Sequence, residues 1–259
     1  MELAYDAAGA GPCVVLIHGH PFDRSLWQPQ VRALTSEFRV VVPDLRGFGA
    51  SPVTQGIVRM REYAADVEEL LSRLAIDRAA VVGLSMGGLV AMDLATTHPG
   101  RWWALGLVAT TAEAVTAQER AVRNERADLV ESEGIQVLVD YMQTGLYGPR
   151  ATPDLRSRVD AMMAQAPVAG AAAALRGRAQ RPDYRSRLRE LDIPGFVCVG
   201  SEDPWSNDTV TAEIIGHLQH PELLIIDGAG HLPNLEAEDM FTANLMQFLS
   251  LHAPRSNVS

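Results

Sequence analysis

Short apolar runs recur along the chain with helical patterns between them. Cys13-Val14-Val15-Leu16-Ile17 and Ala79-Ala80-Val81-Val82 carry no polar alternation, the pattern of strands buried on both faces of a parallel sheet. Phe38 to Val42, Trp102 to Ala109, Phe196 to Val199 and Leu223 to Ile226 read the same way, and Glu2-Leu3-Ala4-Tyr5 alternates like an edge strand before the turn Gly9-Ala10-Gly11-Pro12. Between these runs the apolar period lengthens to that of a helix. Leu26, Trp27, Val31 and Leu34 share one face, as do Tyr63, Val67, Leu70, Leu71 and Leu74 within Arg61 to Ala75. Further helices are predicted over Thr209 to Leu218 and Glu236 to Leu251, and the polar residues 253–259 read as a frayed tail. Strand-helix alternation implies an α/β architecture, a mostly parallel sheet covered by helices on both sides. From about Ala112 to Tyr184 the alternation stops and only helical periodicity remains, broken by Gly134, Gly145, Gly148-Pro149, Pro153 and Pro167. The expected organisation is a core in two parts, 1–111 and 186–259, with a helical lid, 112–185, inserted between them.

Length and charge narrow the partners. A chain of 259 residues suits one large α/β domain, and 47% hydrophobic residues without a run of about 20 apolar positions indicates a soluble protein. The start, Met1 to Asp6, lacks the basic and apolar regions of a secretory signal, so a cytoplasmic location is expected. A net charge of −10 argues against nucleic acid or an anionic membrane as partner. Homo-oligomerisation is left open. Cys13 and Cys198 both fall in predicted strands and no Cys/His cluster is present, so neither a disulfide nor a metal site is expected, and no cofactor is implied. The basic residues are unevenly placed. All 22 are arginine, and 12 lie between Glu113 and Glu190 beside 11 carboxylates, leaving that stretch near +1 and the remainder near −11. Solvated helix faces account for this; so does a lid that attracts anions.

The chemistry centres on Gly83-Leu84-Ser85-Met86-Gly87. This is G-x-S-x-G between an apolar run and a helical pattern, the turn that presents a nucleophilic serine at the tip of a sheet. A serine hydroxyl needs a base within hydrogen-bond reach and a third group to orient that base. His231, in Gly228-Ala229-Gly230-His231-Leu232-Pro233, is the late histidine in a loop after a strand, whereas His98, His217, His220 and His252 lie on helices or helix ends. Asp203, in Gly200-Ser201-Glu202-Asp203-Pro204, is the first choice for the acid, with Glu202 and Glu113 as rivals. Acyl transfer also needs backbone N–H donors for the developing oxyanion. The amide of Met86 follows the nucleophile, and the amide of His20 lies in the loop His18-Gly19-His20-Pro21; the His18 ring is expected to support that loop from beneath.

With these residues placed, the chain resembles the α/β-hydrolase superfamily from end to end. The markers are Leu16 to Pro21, Pro43-Asp44-Leu45-Arg46-Gly47-Phe48-Gly49-Ala50-Ser51, the serine turn, Gly200 to Asp203, and Gly230-His231. Within that fold it looks most like the branch of 3-oxoadipate enol-lactonases, small bacterial aryl esterases and cofactor-free haloperoxidases. Phe22 to Trp27, Gly83 to Gly88, Ala171 to Arg176 and Arg181 to Tyr184 carry that likeness. Two departures stand out: the N-terminal hairpin of the branch is reduced to one strand, and His20 replaces the usual Phe, Trp or Gly, which points to a more polar acyl pocket. Serine at position 85 speaks against dehalogenase or epoxide hydrolase chemistry, which needs a carboxylate nucleophile.

The resulting expectation is a serine hydrolase of a small ester or lactone, with Ser85, His231 and Asp203 as triad and His20 and Met86 as oxyanion donors. Trp27, Leu138, Tyr141, Met142, Leu146, Met162 and Met163 are the candidate pocket residues. A lactonase holding a substrate carboxylate with lid arginines, perhydrolase, lyase or acyltransferase chemistry on the same triad, and a ligand receptor on a hydrolase fold are the alternatives.

Overall fold

The computed structural model describes residues 1–254; the end of the predicted tail lies outside them. In chain order the elements are β1 (Tyr5–Ala8), β2 (Cys13–Ile17), α1 (Gln28–Leu34), β3 (Arg39–Pro43), α2 (Met60–Arg73), β4 (Ala79–Leu84), α3 (Met86–Thr97) and β5 (Trp102–Val108). Five helices follow without a strand: α4 (Ala117–Glu133), α5 (Gln136–Gln143), α6 (Pro153–Ala164), α7 (Val168–Arg178) and α8 (Arg185–Leu188). The chain then closes with β6 (Pro194–Gly200), α9 (Asp208–Ile215), β7 (His220–Ile226), α10 (Pro233–Glu236) and α11 (Glu238–His252). The seven strands form one sheet in the order β1-β3-β2-β4-β5-β6-β7, and only β1 runs antiparallel, against β3.

The apolar runs became the central strands because both of their faces are covered. Every residue of β2, β4 and β5 is buried. Side chains alternate between two clusters: Val14, Leu16, Ala80 and Val82 join one side of the sheet, and Cys13, Val15, Ile17, Ala79 and Val81 the other. The ends deviate from the sequence expectation. The first strand is Tyr5–Ala8 rather than Glu2 to Tyr5, and all four of its residues are exposed, so it is held by backbone pairing with β3 and by the Asp6 carboxylate accepting from Arg24 at 2.9 Å. The predicted C-terminal helix, Glu236 to Leu251, is α11 at Glu238–His252; the short α10 precedes it and is separated from it at Ala237, whose φ of −136° is not helical.

The five helices between β5 and β6 leave and re-enter the core at neighbouring points, since the Tyr184 amide donates to the Ala112 carbonyl at 2.8 Å. We call them the cap. It sits on the core through α7, whose run of small residues lets two backbones touch. A Cβ on Gly177 would lie 1.7 Å from the Val58 carbonyl oxygen, and one on Gly170 2.0 Å from that of Gly47. A backbone carbonyl cannot yield as a side chain does, so Gly177→Ala is expected to cost about 3 kcal/mol. Thermal unfolding should register this as a midpoint lowered by roughly 6–10 °C.

Candidate active site

The tip of β4 sets the position of Ser85. Its φ of 54° and ψ of −113° place it in the left-handed region, strained for a residue with a Cβ. The strain is sustained because the turn is clamped. The Ser85 amide donates to Val108 at 2.8 Å, the Thr110 hydroxyl donates to the Ser85 carbonyl at 2.8 Å, and α3 starts at the next residue. The flanking glycines are required by space: a Cβ on Gly83 would fall 2.1 Å from the Gly87 oxygen, and one on Gly87 2.2 Å from the Ile17 oxygen. Strand, helix and the β2 end therefore converge beneath the hydroxyl.

His231 and Asp203 arrive from the loops after β7 and β6, and both are only 3% exposed. His231 Nδ1 donates to Asp203 Oδ2 at 2.8 Å, while Asp203 Oδ1 accepts the Trp205 amide at 2.9 Å. Burial alone would raise the Asp203 carboxyl; the His231 charge and hydrogen bond, with the Trp205 amide and Ser206 hydroxyl, outweigh burial and hold it below the usual carboxylate range. An ionised Asp203 keeps the proton on Nδ1. Nε2 then has no hydrogen-bond partner among the described residues and is left for the cavity that His231 and Ser85 both line. Neither rival acid takes this place: Glu202 is exposed, and Glu113 pairs with Arg185 and Glu213.

The loop after β2 supplies the facing side. Neither the His20 amide nor the Met86 amide is hydrogen-bonded among the described residues, so both are free to donate. His18 lies beneath: its Nε2 accepts the Leu45 amide at 2.9 Å, which leaves Nδ1–H to donate to the Gly19 carbonyl at 2.8 Å. The Asp44 to Ser51 motif is scaffolding of the same kind, with buried Asp44 accepting the Arg24 and Ala50 amides at 2.8 Å each. The His20 ring lines the cavity next to Ser85 and His231. It is 1% exposed, and its Nε2 donates to the Ala171 carbonyl of α7 at 3.0 Å, tying the loop to the cap. Burial, reinforced by the positive charge of Arg178, lowers its pKa to about 3, so the ring is neutral.

A cavity of about 490 Å³ joins these groups, within the size range of small-molecule sites. Leu138, Tyr141 and Met142 line it as anticipated from the sequence. Trp27, Leu146, Met162 and Met163 do not. Trp27 is fully buried against Phe241, Leu146 and Met163 are fully buried in the core, and Met162 faces a separate cavity beside Asp23 and Arg24. Helical spacing marks a buried face without saying whether it meets a cavity or a neighbouring helix.

Two contributors were missed by sequence reasoning. Trp205 sets its ring edge-on to His231 at 4.8 Å and stacks on Tyr141 at 6.3 Å, linking the base to the cap. Glu236 is buried beneath the histidine loop, where its carboxylate accepts the amides of Gly148 at 2.8 Å, Gly230 at 3.0 Å and Leu232 at 3.3 Å. It therefore fastens the His231 loop to the α5–α6 connection, as does the His231 amide donating to Leu146 at 2.9 Å. In Glu236→Gln an amide nitrogen must face backbone N–H groups, which should cost about 1–3 kcal/mol in chemical unfolding.

Residues 14–243 match the model of the "Alpha/beta hydrolase family". The chain belongs to the α/β-hydrolase family. Within this family it is 32% identical over 233 residues to 3-oxoadipate enol-lactonase 1 of Acinetobacter baylyi, covering 89% of this chain and 85% of that protein. Among solved structures it is similar to a thermophilic esterase from Thermogutta terrifontis, determined with malate bound, at 34% identity and a TM-score of 0.95 over 97% of this chain and 94% of that one. It is also similar to the enol-lactonase from Burkholderia xenovorans, at 27% identity and a TM-score of 0.88 over 96% of each chain. The branch resemblance seen in the sequence thus reappears among its hydrolase relatives. Among the described residues no helix is long and apolar enough to cross a membrane.

Proposed function

We propose that the protein hydrolyses a small carboxylic ester or lactone through an acyl-enzyme on Ser85, with residues 112–185 acting as the lid between core segments 1–111 and 186–259. The observation that carries this reading is the relay from ionised Asp203 to His231 Nδ1, which leaves Nε2 as an acceptor in the cavity that exposes Ser85. In the first half-reaction Ser85 Oγ bonds to the substrate carbonyl carbon and its proton passes to Nε2. The carbonyl electron pair moves onto oxygen, where the His20 and Met86 amides are placed to receive it. Collapse of this intermediate breaks the acyl–oxygen bond, and the imidazolium returns its proton to the departing alkoxide. A water molecule then loses a proton to Nε2, attacks the acyl-enzyme, and releases the acid and the Ser85 hydroxyl. In a lactone the alcohol stays tethered to the acyl group.

A fully buried, low-pKa His20 fits a support role and not a second base. The esterase and enol-lactonase names of the relatives favour ester or lactone over peracid chemistry. The reading is tested by hydrolysis of p-nitrophenyl acetate, in which the wild type is expected to show a burst of p-nitrophenol equal to the enzyme whenever deacylation is the slower step. Absence of turnover on esters and lactones alike would refute it.

A further inference from the structure

The hydrogen bond from Nδ1 to Asp203 holds the His231 imidazole at one point, and a ring held at one point can still pivot about that bond. Trp205 blocks the pivot. Its indole stands at 85° to the imidazole with 4.8 Å between ring centres, so the base cannot turn that way without displacing it. The Trp205 backbone serves the same pair, because its amide donates to Asp203 Oδ1 at 2.9 Å. Acid and base are thus both set by one residue that takes no part in proton transfer.

The indole in turn rests on the cap. Tyr141 of α5 stacks on it at 6.3 Å and 26°, an offset arrangement that aromatic pairs favour, and the Arg126 guanidinium of α4 lies 3.3 Å from the centre of the Tyr141 ring. The chain just after α5 closes the contact from a second point. A Cβ on Gly145 would fall 2.8 Å from Pro204 Cγ and 3.1 Å from Trp205 Cζ2, so cap backbone meets the indole with no side chain between them. Arg126, Tyr141, Trp205 and His231 therefore form one column from the cap to the base. All four front the cavity, whereas Gly145 is not among its lining residues.

Resting on the reading of Ser85 as nucleophile and His231 as base, we infer that Trp205 is the positioning residue of the base and that α5 of the cap sets it. His231 is in register with Ser85 while Tyr141 and Gly145 hold the indole against the imidazole, and opening of the cap at α5 unseats it. The cap then governs turnover as well as access to the cavity. Misplacing a reacting group by about 1 Å costs on the order of 100-fold in rate, so a column this short is long enough to matter.

The test reads p-nitrophenyl acetate hydrolysis and the rate of inactivation by methanesulfonyl fluoride, a reagent small enough to need no contact with the cap, beside thermal midpoints that confirm folding. Trp205→Leu is expected to lower kcat and the inactivation rate alike, by about 30-fold or more, with KM within about 3-fold, and Trp205→Phe to recover most of the loss. Gly145→Ala should lower both by about 5-fold or more, although its methyl group is directed at the indole and not at the cavity. Tyr141→Leu should also slow both, yet the double variant Tyr141→Leu/Trp205→Leu should match Trp205→Leu within about 2-fold, because Tyr141 acts on the base through the indole. A Trp205→Leu enzyme with kcat within about 3-fold of wild type, a lowered midpoint with no change in kcat, or Tyr141 and Trp205 losses that multiply in full overturns the proposal. Should Trp205→Leu not fold, Gly145→Ala and Trp205→Phe decide: slowing in the first with near-normal rates in the second supports it, and normal rates in the first end it. Failure of the hydrolase reading looks different, since the wild type itself would turn over no ester and resist the reagent. In that event the low-field proton resonance of His231 Nδ1–H decides the restraint alone: broadening or loss of that signal in Gly145→Ala and Tyr141→Leu supports it, and an unchanged signal ends it.

Discussion

Ser85→Ala is expected to lower kcat on p-nitrophenyl acetate by at least about 10⁴-fold, and by up to about 10⁶-fold, because the variant has no oxygen to form the acyl-enzyme and keeps only the oxyanion amides and the cavity. The fold should survive, since the turn is held by backbone groups: the Ser85 amide on Val108 and its carbonyl on Thr110. The strained backbone offers an internal control. At a φ of 54° alanine is no easier to accommodate than serine, but glycine is, so Ser85→Gly should be equally inactive and more stable than Ser85→Ala by about 1 kcal/mol. Matched thermal unfolding and stopped-time hydrolysis separate the two effects. An alanine variant retaining a tenth of the activity would remove Ser85 from the chemistry.

Asp203→Asn should lower kcat by about 10⁴-fold while leaving KM within a small factor. Asp203 Oδ1 already accepts the Trp205 amide, so an asparagine keeps its carbonyl oxygen there and turns its NH₂ toward His231. Nδ1 must then accept, the ring proton moves to Nε2, and the base can no longer take a proton from Ser85. Stability should fall as well, because the buried carboxylate is held in its charged form by the groups around it. A group with a depressed folded pKa contributes stability above its unfolded pKa and loses it as pH falls through the folded value; the wild type should therefore lose ground to the variant as the solution is acidified below the carboxylate range. Glu202→Gln, one residue away on an exposed side chain, should leave kcat within about 2-fold, since surface substitutions away from such networks change little.

The parts of this architecture that were readable in advance are those where burial writes itself into the residue pattern. β2, β4 and β5 are covered on both faces, and their apolar runs fall within two residues of the observed strands. β1 is not covered on either face, and the apolar signal upstream of it came from Leu3, which is buried but lies outside the strand. β7 begins at His220-Pro221-Glu222, residues that pair with β6 through backbone while staying accessible, so only its apolar end was visible. The serine turn, Asp203 and His231 could be placed because the fold orders its chemistry at strand ends. The cavity wall could not. Trp27 and Leu146 have the same apolar character as Leu138 and Met142, and only packing tells which pair meets a neighbour and which meets a space. Glu236 read as an ordinary acidic residue at a helix start, and its three backbone partners come from two segments of the chain. The arginine excess of the cap was countable from the sequence. That Arg178, alone among the cavity-lining Arg123, Arg126, Arg178 and Arg181, has no partner for its side chain among the described residues required the structure.

The central claim, that one activated serine does the chemistry, is tested most directly by a fluorophosphonate probe read by intact mass and peptide mapping. The wild type is expected to take up one phosphonyl group, located on Ser85, with loss of ester hydrolysis in proportion to labelling; Ser85→Ala should take up none, and Asp203→Asn should label much more slowly. Protein that stays unlabelled while still hydrolysing esters, or that carries the group on another residue, contradicts the account.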